Sequence, residues 1–152
     1  MPPVQPAEAS PGPRAAVLVS ACLLGTCCNH EGAHSRRAAV EALGETHRLV
    51  PICPEVCGGL TTPRPAAERR GDRVVTEEGE DVTEFYERGA LEAVELAHAV
   101  GARRAILKAR SPSCGSSQIY DGTFTRTLVD GEGVTASALR AVGIEVCSEE
   151  DL

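Results

Sequence analysis

Short apolar runs alternate along this chain with stretches rich in Gly, Pro and Ser. Residues 15–21, AAVLVSA, are almost continuously apolar. That pattern predicts a strand covered on both faces, as in a parallel sheet. HRLVPI at 47–52 predicts a second strand with a kink at Pro51. RVVT at 73–76 predicts a small strand, RAILKA at 104–109 a third of the main series, and GIEVCS a last one. Helical spacing is clearest from Val82 to Val100, where Val82, Phe85, Tyr86, Ala90, Ala93, Val94 and Ala97 fall near a 3.6-residue period. Asp81 is placed to cap that helix, with Glu84 three residues on, and Gly101 to close it. A shorter helix is expected over 36–43, capped by Ser35 and ended by Gly44, and another over 134–142.

The linking segments carry turn chemistry. Asp121-Gly122 between QIY and TFTRTL is a hairpin signal. CPEVCGGLTTPRP at 53–65 holds too many Gly and Pro residues for regular structure and reads as a site loop. The repeated order of strand, loop and helix predicts a single α/β domain, a mainly parallel sheet flanked by helices, with small hairpin insertions. Residues 1–13 contain five prolines and no apolar period. They read as a disordered Pro-rich tail, which leaves 14–152 as the domain.

Composition narrows the function classes. Aromatic residues make up only 3% of the chain, so Val, Leu, Ile and Ala must build the core. A net charge of −7 argues against a sequence-independent grip on nucleic acid. No run approaches the roughly 18 apolar residues of a membrane span, and no export signal is visible. A reducing cytoplasmic setting is expected, and there the seven cysteines point to metal binding or catalysis rather than disulfides.

Three of those cysteines end apolar runs. Cys22 follows VLVSA, Cys53 follows LVPI, and Cys114 follows ILKARSPS. If the runs are parallel strands, the three thiols meet at one edge of the sheet, where α/β folds build their sites. Thiolates suit zinc or iron–sulfur centres, and three protein ligands leave one coordination position open. Cysteines also serve as small buried hydrophobes, and no C-x-x-C pair anchors the metal reading.

Five segments in order carry a resemblance. SACLLG at 20–25, ICPEVCGGLTTPR at 52–64, GEDVTEFYERGA at 79–90, KARSPSCGSSQIYDGTF at 108–124 and GEGVTA at 131–136 together resemble the bacterial family, long of unknown function, that includes the 2-thiouracil desulfurases. The likeness covers about residues 15–147. It implies an α/β domain with a 4Fe–4S cluster held by Cys22, Cys53 and Cys114, and a fourth iron free to take substrate sulfur. The implied reaction is non-redox removal of sulfur from a thiolated pyrimidine such as 2-thiouracil. Ser111 matches a serine near the open iron, and Glu55 of the CPE triplet is the candidate acid or base. Family members often carry Arg-Tyr-Asp-Gly where this chain has Asn29-His30-Glu31-Gly32. The carboxylate survives as Glu31 while a positive charge and a phenol are lost, a change that bears on substrate more than on cluster.

Other residues have weaker chemistry. Arg64 has the fork geometry to grip an anionic or carbonyl group of a substrate, or to form an ordinary salt bridge. Glu55 also fits a plain N-cap carboxylate, and Ser111 a plain Ser-Pro turn. Cys27 and Cys28 are adjacent and read as reduced loop thiols or as a redox pair; Cys57 reads as a packed thiol or spare ligand, and Cys147 as core. GEGVTA matches G-x-G-x-x-A but lacks the βαβ context of a dinucleotide site. Besides the desulfurase, two readings stand: a structural zinc module, and a thiol redox protein using Cys27 and Cys28.

Overall fold

The computed structural model describes residues 14–152, so the tail expected at 1–13 lies outside the described residues. Four parallel strands form the central sheet in the order β2-β1-β5-β8. They are β1 (Ala16–Ser20), β2 (Arg48–Ile52), β5 (Arg104–Leu107) and β8 (Glu145–Ser148). Every residue of β1 is buried, as its unbroken apolar run requires of a strand flanked by two others and covered on both faces. β2 forms the sheet edge. Pro51 therefore sits opposite Val19 without depriving a further neighbour of a hydrogen bond, and the strand runs on through it to Ile52.

Helices cover both faces. On one, α3 (Thr83–Val100) and α4 (Val134–Ala141) pack Ala93, Ala97, Ala136 and Leu139 against Leu18, Ile52, Leu107 and Val146. On the other, Val17, Val19 and Ile106 lie under the turn at Ala21–Leu24 and under Val40 of α1 (Ala38–Ala42). The expected helix at 36–43 is thus shorter and continues as a 3-10 turn through Gly44. Ser35 does not cap it; its backbone N–H instead donates to the Cys22 carbonyl, tying that loop to the site.

α3 begins one residue later than expected, at Thr83, with Val82 rather than Asp81 in the N-cap position. Asp81 Oδ1 accepts the Thr83 amide at 3.0 Å and the Thr83 hydroxyl at 2.6 Å. These bonds, and the Arg73 guanidinium, hold the Asp81 carboxyl down at about 2. Glu84 closes no capping box, because the N-cap residue is Val82, which has no side-chain oxygen, and the Thr83 hydroxyl accepts the Val74 amide of β4 (Arg73–Thr76). Gly101 ends the helix in the left-handed region, φ 69°.

Three departures arise from packing between distant segments. CPEVCGG is not wholly irregular: Pro54–Cys57 form a one-turn helix, α2, with proline in the first turn, where its missing N–H costs nothing. β3 (Ala67–Arg70) pairs antiparallel with β4, although AERR has no apolar signature. The hairpin of β6 (Gln118–Tyr120) and β7 (Leu128–Asp130) closes through residues 121–127, not through a two-residue Asp-Gly turn. The buried Glu68 explains both of the last two. Its Oε1 accepts the Gly122 and Phe124 amides at 3.0 and 3.1 Å and clasps the two hairpins together. No helix among the described residues is long and apolar enough to cross a membrane.

Candidate active site at the carboxyl edge of the sheet

β1, β2 and β5 run in the same direction and are adjacent, so their C-terminal ends deliver three cysteines to one edge. Cys22 lies in the 3-10 turn after β1, Cys53 is the N-cap of α2 after β2, and Cys114 sits in the loop after β5. All three line one cavity of about 640 Å³. Glu55, Arg64, Tyr86, Lys108 and Ser111 line it as well, and so does a fourth cysteine, Cys28. Cys27, Cys57 and Cys147 are not among its lining residues, and all seven cysteines are free thiols.

Cys53 Sγ donates to the Cys28 backbone carbonyl at 3.7 Å, and the neighbouring Cys22 thiol chiefly pushes the Cys28 thiol up to about 11. The Cys28 contact and burial raise the Cys53 thiol far above its ordinary range. Burial pushes Cys114 up to about 12. These thiols are therefore neutral near pH 7, and a metal that binds them displaces protons. Among the described residues no three His, Cys, Asp or Glu side chains converge on one ion position. Thiolates are the soft donors that iron–sulfur clusters take. The soft donor set and its buried wall fit that group.

Beside the thiols lies a carboxylate with a defined posture. Glu55 Oε2 accepts the Tyr86 hydroxyl at 2.9 Å and faces Arg64 Nε and Nη2 at 3.2 and 3.1 Å. The Glu55 and Arg64 side chains are only 15% and 5% exposed, so water screens this pair little. Arg64 also donates to the Cys28 and Thr61 carbonyls and to the Thr62 hydroxyl. Its fork is thus spent on the protein and reaches the cavity through Glu55. Burial first, then the Glu55 carboxylate, keeps the Tyr86 phenol protonated and donating.

The approach of α2 to α3 that creates this pairing depends on two glycines. A Cβ on Gly89 would stand 1.9 Å from the Pro54 carbonyl oxygen, and one on Gly58 would stand 1.9 Å from that of Phe85. Only glycine allows two backbones this close.

Ser111 Oγ accepts the Ser113 and Cys114 amides, each at 3.0 Å, a turn that shapes the Cys114 loop and leaves the hydroxyl proton for another partner. The loop is anchored from two further sides. The α4 amides of Val134 and Thr135 donate to the Pro112 and Ser113 carbonyls. The Glu149 carboxylate, fully buried, accepts the Ala109 amide at 2.9 Å and the Lys108 ammonium at 3.3 Å. The 29–32 stretch forms the cavity rim. Asn29 Oδ1 accepts the Glu31 and Ala33 amides, while the Glu31 side chain, 73% exposed, lies 3.5 Å from His30.

The sequence brings Cys22, Cys53, Cys114, Glu55 and Ser111 to notice, and the fold gathers them. It does not reveal Tyr86, which reads as one more apolar helix position, or Cys28, which reads as half of a vicinal pair. The usable signal for Cys28 is its six-residue separation from Cys22 across a glycine turn. Tyr86 has a weaker signal: a phenol on the buried face of a helix needs a polar partner.

Comparisons with known proteins agree with this geometry. A family model described as 2-thiouracil desulfurase matches residues 17–151. The chain is 41% identical over 146 residues to the uncharacterized protein YbbK of Bacillus subtilis (strain 168), covering 90% of this chain and 97% of that one. A solved structure titled as the [4Fe-4S]-dependent thiouracil desulfidase TudS (DUF523Vcz) superposes with a TM-score of 0.86 at 48% identity, covering 91% of this chain and 93% of that one.

Proposed function

Because this chain belongs to the 2-thiouracil desulfurase family, we propose that it removes sulfur from a thiolated nucleobase such as 2-thiouracil, with a 4Fe–4S cluster as cofactor. The observation that carries the reading is the convergence of Cys22, Cys53 and Cys114 on one cavity beside the Glu55–Tyr86–Arg64 group. Cys22, Cys53 and Cys114 would hold the cluster, which when bound supplies an iron without a protein ligand, a Lewis acid for sulfur.

The chain's own residues supply the rest. The overall change exchanges one water for one sulfide at the ring carbon: thiouracil and water give uracil and hydrogen sulfide, with no electrons transferred. Glu55 Oε1, the oxygen turned away from Tyr86 and Arg64, accepts the proton of the attacking water. Tyr86 and Arg64 fix the other oxygen so that the base keeps one orientation. Ser111, its oxygen occupied by two amides, directs its proton toward the departing sulfur. Arg64 acts on substrate through Glu55, and Glu31 contacts it at the rim. A single small thiolated pyrimidine, rather than a nucleic acid, suits a cavity of this size on a chain of net charge −7. The free thiols suit a reducing cytoplasm.

Anaerobic reconstitution tests the assignment. The expected product is a brown protein with about four iron and four sulfide per chain that converts 2-thiouracil to uracil and sulfide. A colourless, iron-free protein overturns it, and zinc bound without visible absorbance favours a structural module instead.

A further inference from the structure

Cys114 differs from the other two cysteines in what surrounds its sulfur. Ser20 Oγ lies 3.4 Å from Cys114 Sγ and donates to it across a gap of 94 residues in sequence. The same oxygen accepts the Lys108 backbone amide at 2.9 Å. A hydroxyl has one proton and two lone pairs. With the amide pointing at the oxygen, the hydroxyl proton turns to the sulfur. Both residues are buried. Ser20 stands one residue past the last β1 position paired with β5, which lets one side chain accept the Lys108 amide just after β5 and reach the Cys114 loop. Cys22 and Cys53 lie differently: Cys53 Sγ donates to the Cys28 backbone carbonyl at 3.7 Å, and no hydroxyl is bonded to either sulfur among the described residues.

We propose that Ser20 is a positioning residue for Cys114, donating a hydrogen bond to its sulfur and making this the electron-poor corner of the metal centre. The inference rests on the cluster reading above. A donor at a ligand sulfur draws electron density from it, stabilises the reduced metal and raises the reduction potential. The same withdrawal makes the centre a stronger acceptor for a substrate's sulfur. Without this role, Ser20 would merely satisfy the Lys108 amide at the end of the sheet.

The test compares anaerobically reconstituted native chain with Ser20→Ala and Ser20→Thr. Iron per chain and visible absorbance are measured first, then the midpoint potential by redox titration followed by electron paramagnetic resonance of the reduced centre. Ser20→Ala is expected to shift the midpoint to a more negative value and to lose iron to a chelator several-fold faster. Ser20→Thr, which keeps the hydroxyl, is expected to restore both. An alanine variant that loads and shows the native midpoint overturns the proposal while leaving the cluster reading intact. A native chain that takes up no iron overturns the cluster reading itself. Should the alanine variant fail to fold, Ser20→Val against Ser20→Thr makes the same comparison at constant volume, and equal potentials in that pair overturn the proposal.

Discussion

At the scale of single residues, the candidate chemistry rests on how Glu55 is held. The Tyr86 hydroxyl reaches one carboxylate oxygen and Arg64 the same one, which leaves the other free of these partners. Removing the base should therefore cost more than removing its orienter. We expect Glu55→Gln to lower turnover of 2-thiouracil by roughly 10² to 10⁴, the range of general-base contributions, with iron content unchanged. Tyr86→Phe should lower it less, on the order of tenfold. Steady-state kinetics on the two loaded variants check the order, and a Tyr86→Phe loss as large as that of Glu55→Gln would contradict it. The three cysteines are legible in the sequence because each follows an apolar run and strand direction sends them to one edge, whereas Glu55 stands out only through the CPE triplet of the family resemblance. Tyr86 and Cys28 are not legible, because their partners lie on other elements and only the packing of α2 on α3, and of the 25–35 loop on the turn after β1, introduces them.

At the scale of elements, the site depends on how near α2 lies to α3. Gly89→Ala sets two effects against each other. Alanine gains about 1 kcal/mol over glycine in a helix interior. Overpacking costs about 1–3 kcal/mol and more where the obstacle cannot rotate away, and the obstacle here is a backbone carbonyl 1.9 Å from the added carbon. The clash should win. The variant is expected to melt several degrees lower and to lose desulfuration, since α2 carries Glu55 and has Cys53 as its N-cap. A circular-dichroism melt that rises instead would refute the close-packing account. Elements also mark the limit of pattern reading. β1 and α3 announce themselves by unbroken apolarity and by period, whereas β3 is a strand because the neighbouring β4 and the clasp of Glu68 make it one. The Asp121-Gly122 signal is real but its turn is stretched, because Gly122 packs against Arg69 and Arg70 of β3, and the chain needs more residues to return.

At the scale of the whole molecule, the metal centre and the fold should stabilise each other. The three proposed ligands come from segments that meet only in the folded chain, so a cluster binds the native state and not the unfolded one. Loading at a large excess over the dissociation constant is worth several kcal/mol, which for a chain of this length corresponds to a rise in Tm of roughly 10 °C. Differential scanning of loaded and chelated protein checks it; identical melts would remove the three cysteines from the assignment.

The buried Glu149 adds an order in time. It fastens the Ala109 amide from 40 residues further along the chain. On the ribosome, β1, β2 and β5 all emerge before the residue that secures the loop bearing Cys114. A nascent chain therefore presents its thiols while that loop is still unfastened. Cluster insertion belongs after synthesis of this segment, and a chain stalled before Glu149 would be a poor acceptor for iron delivered too early.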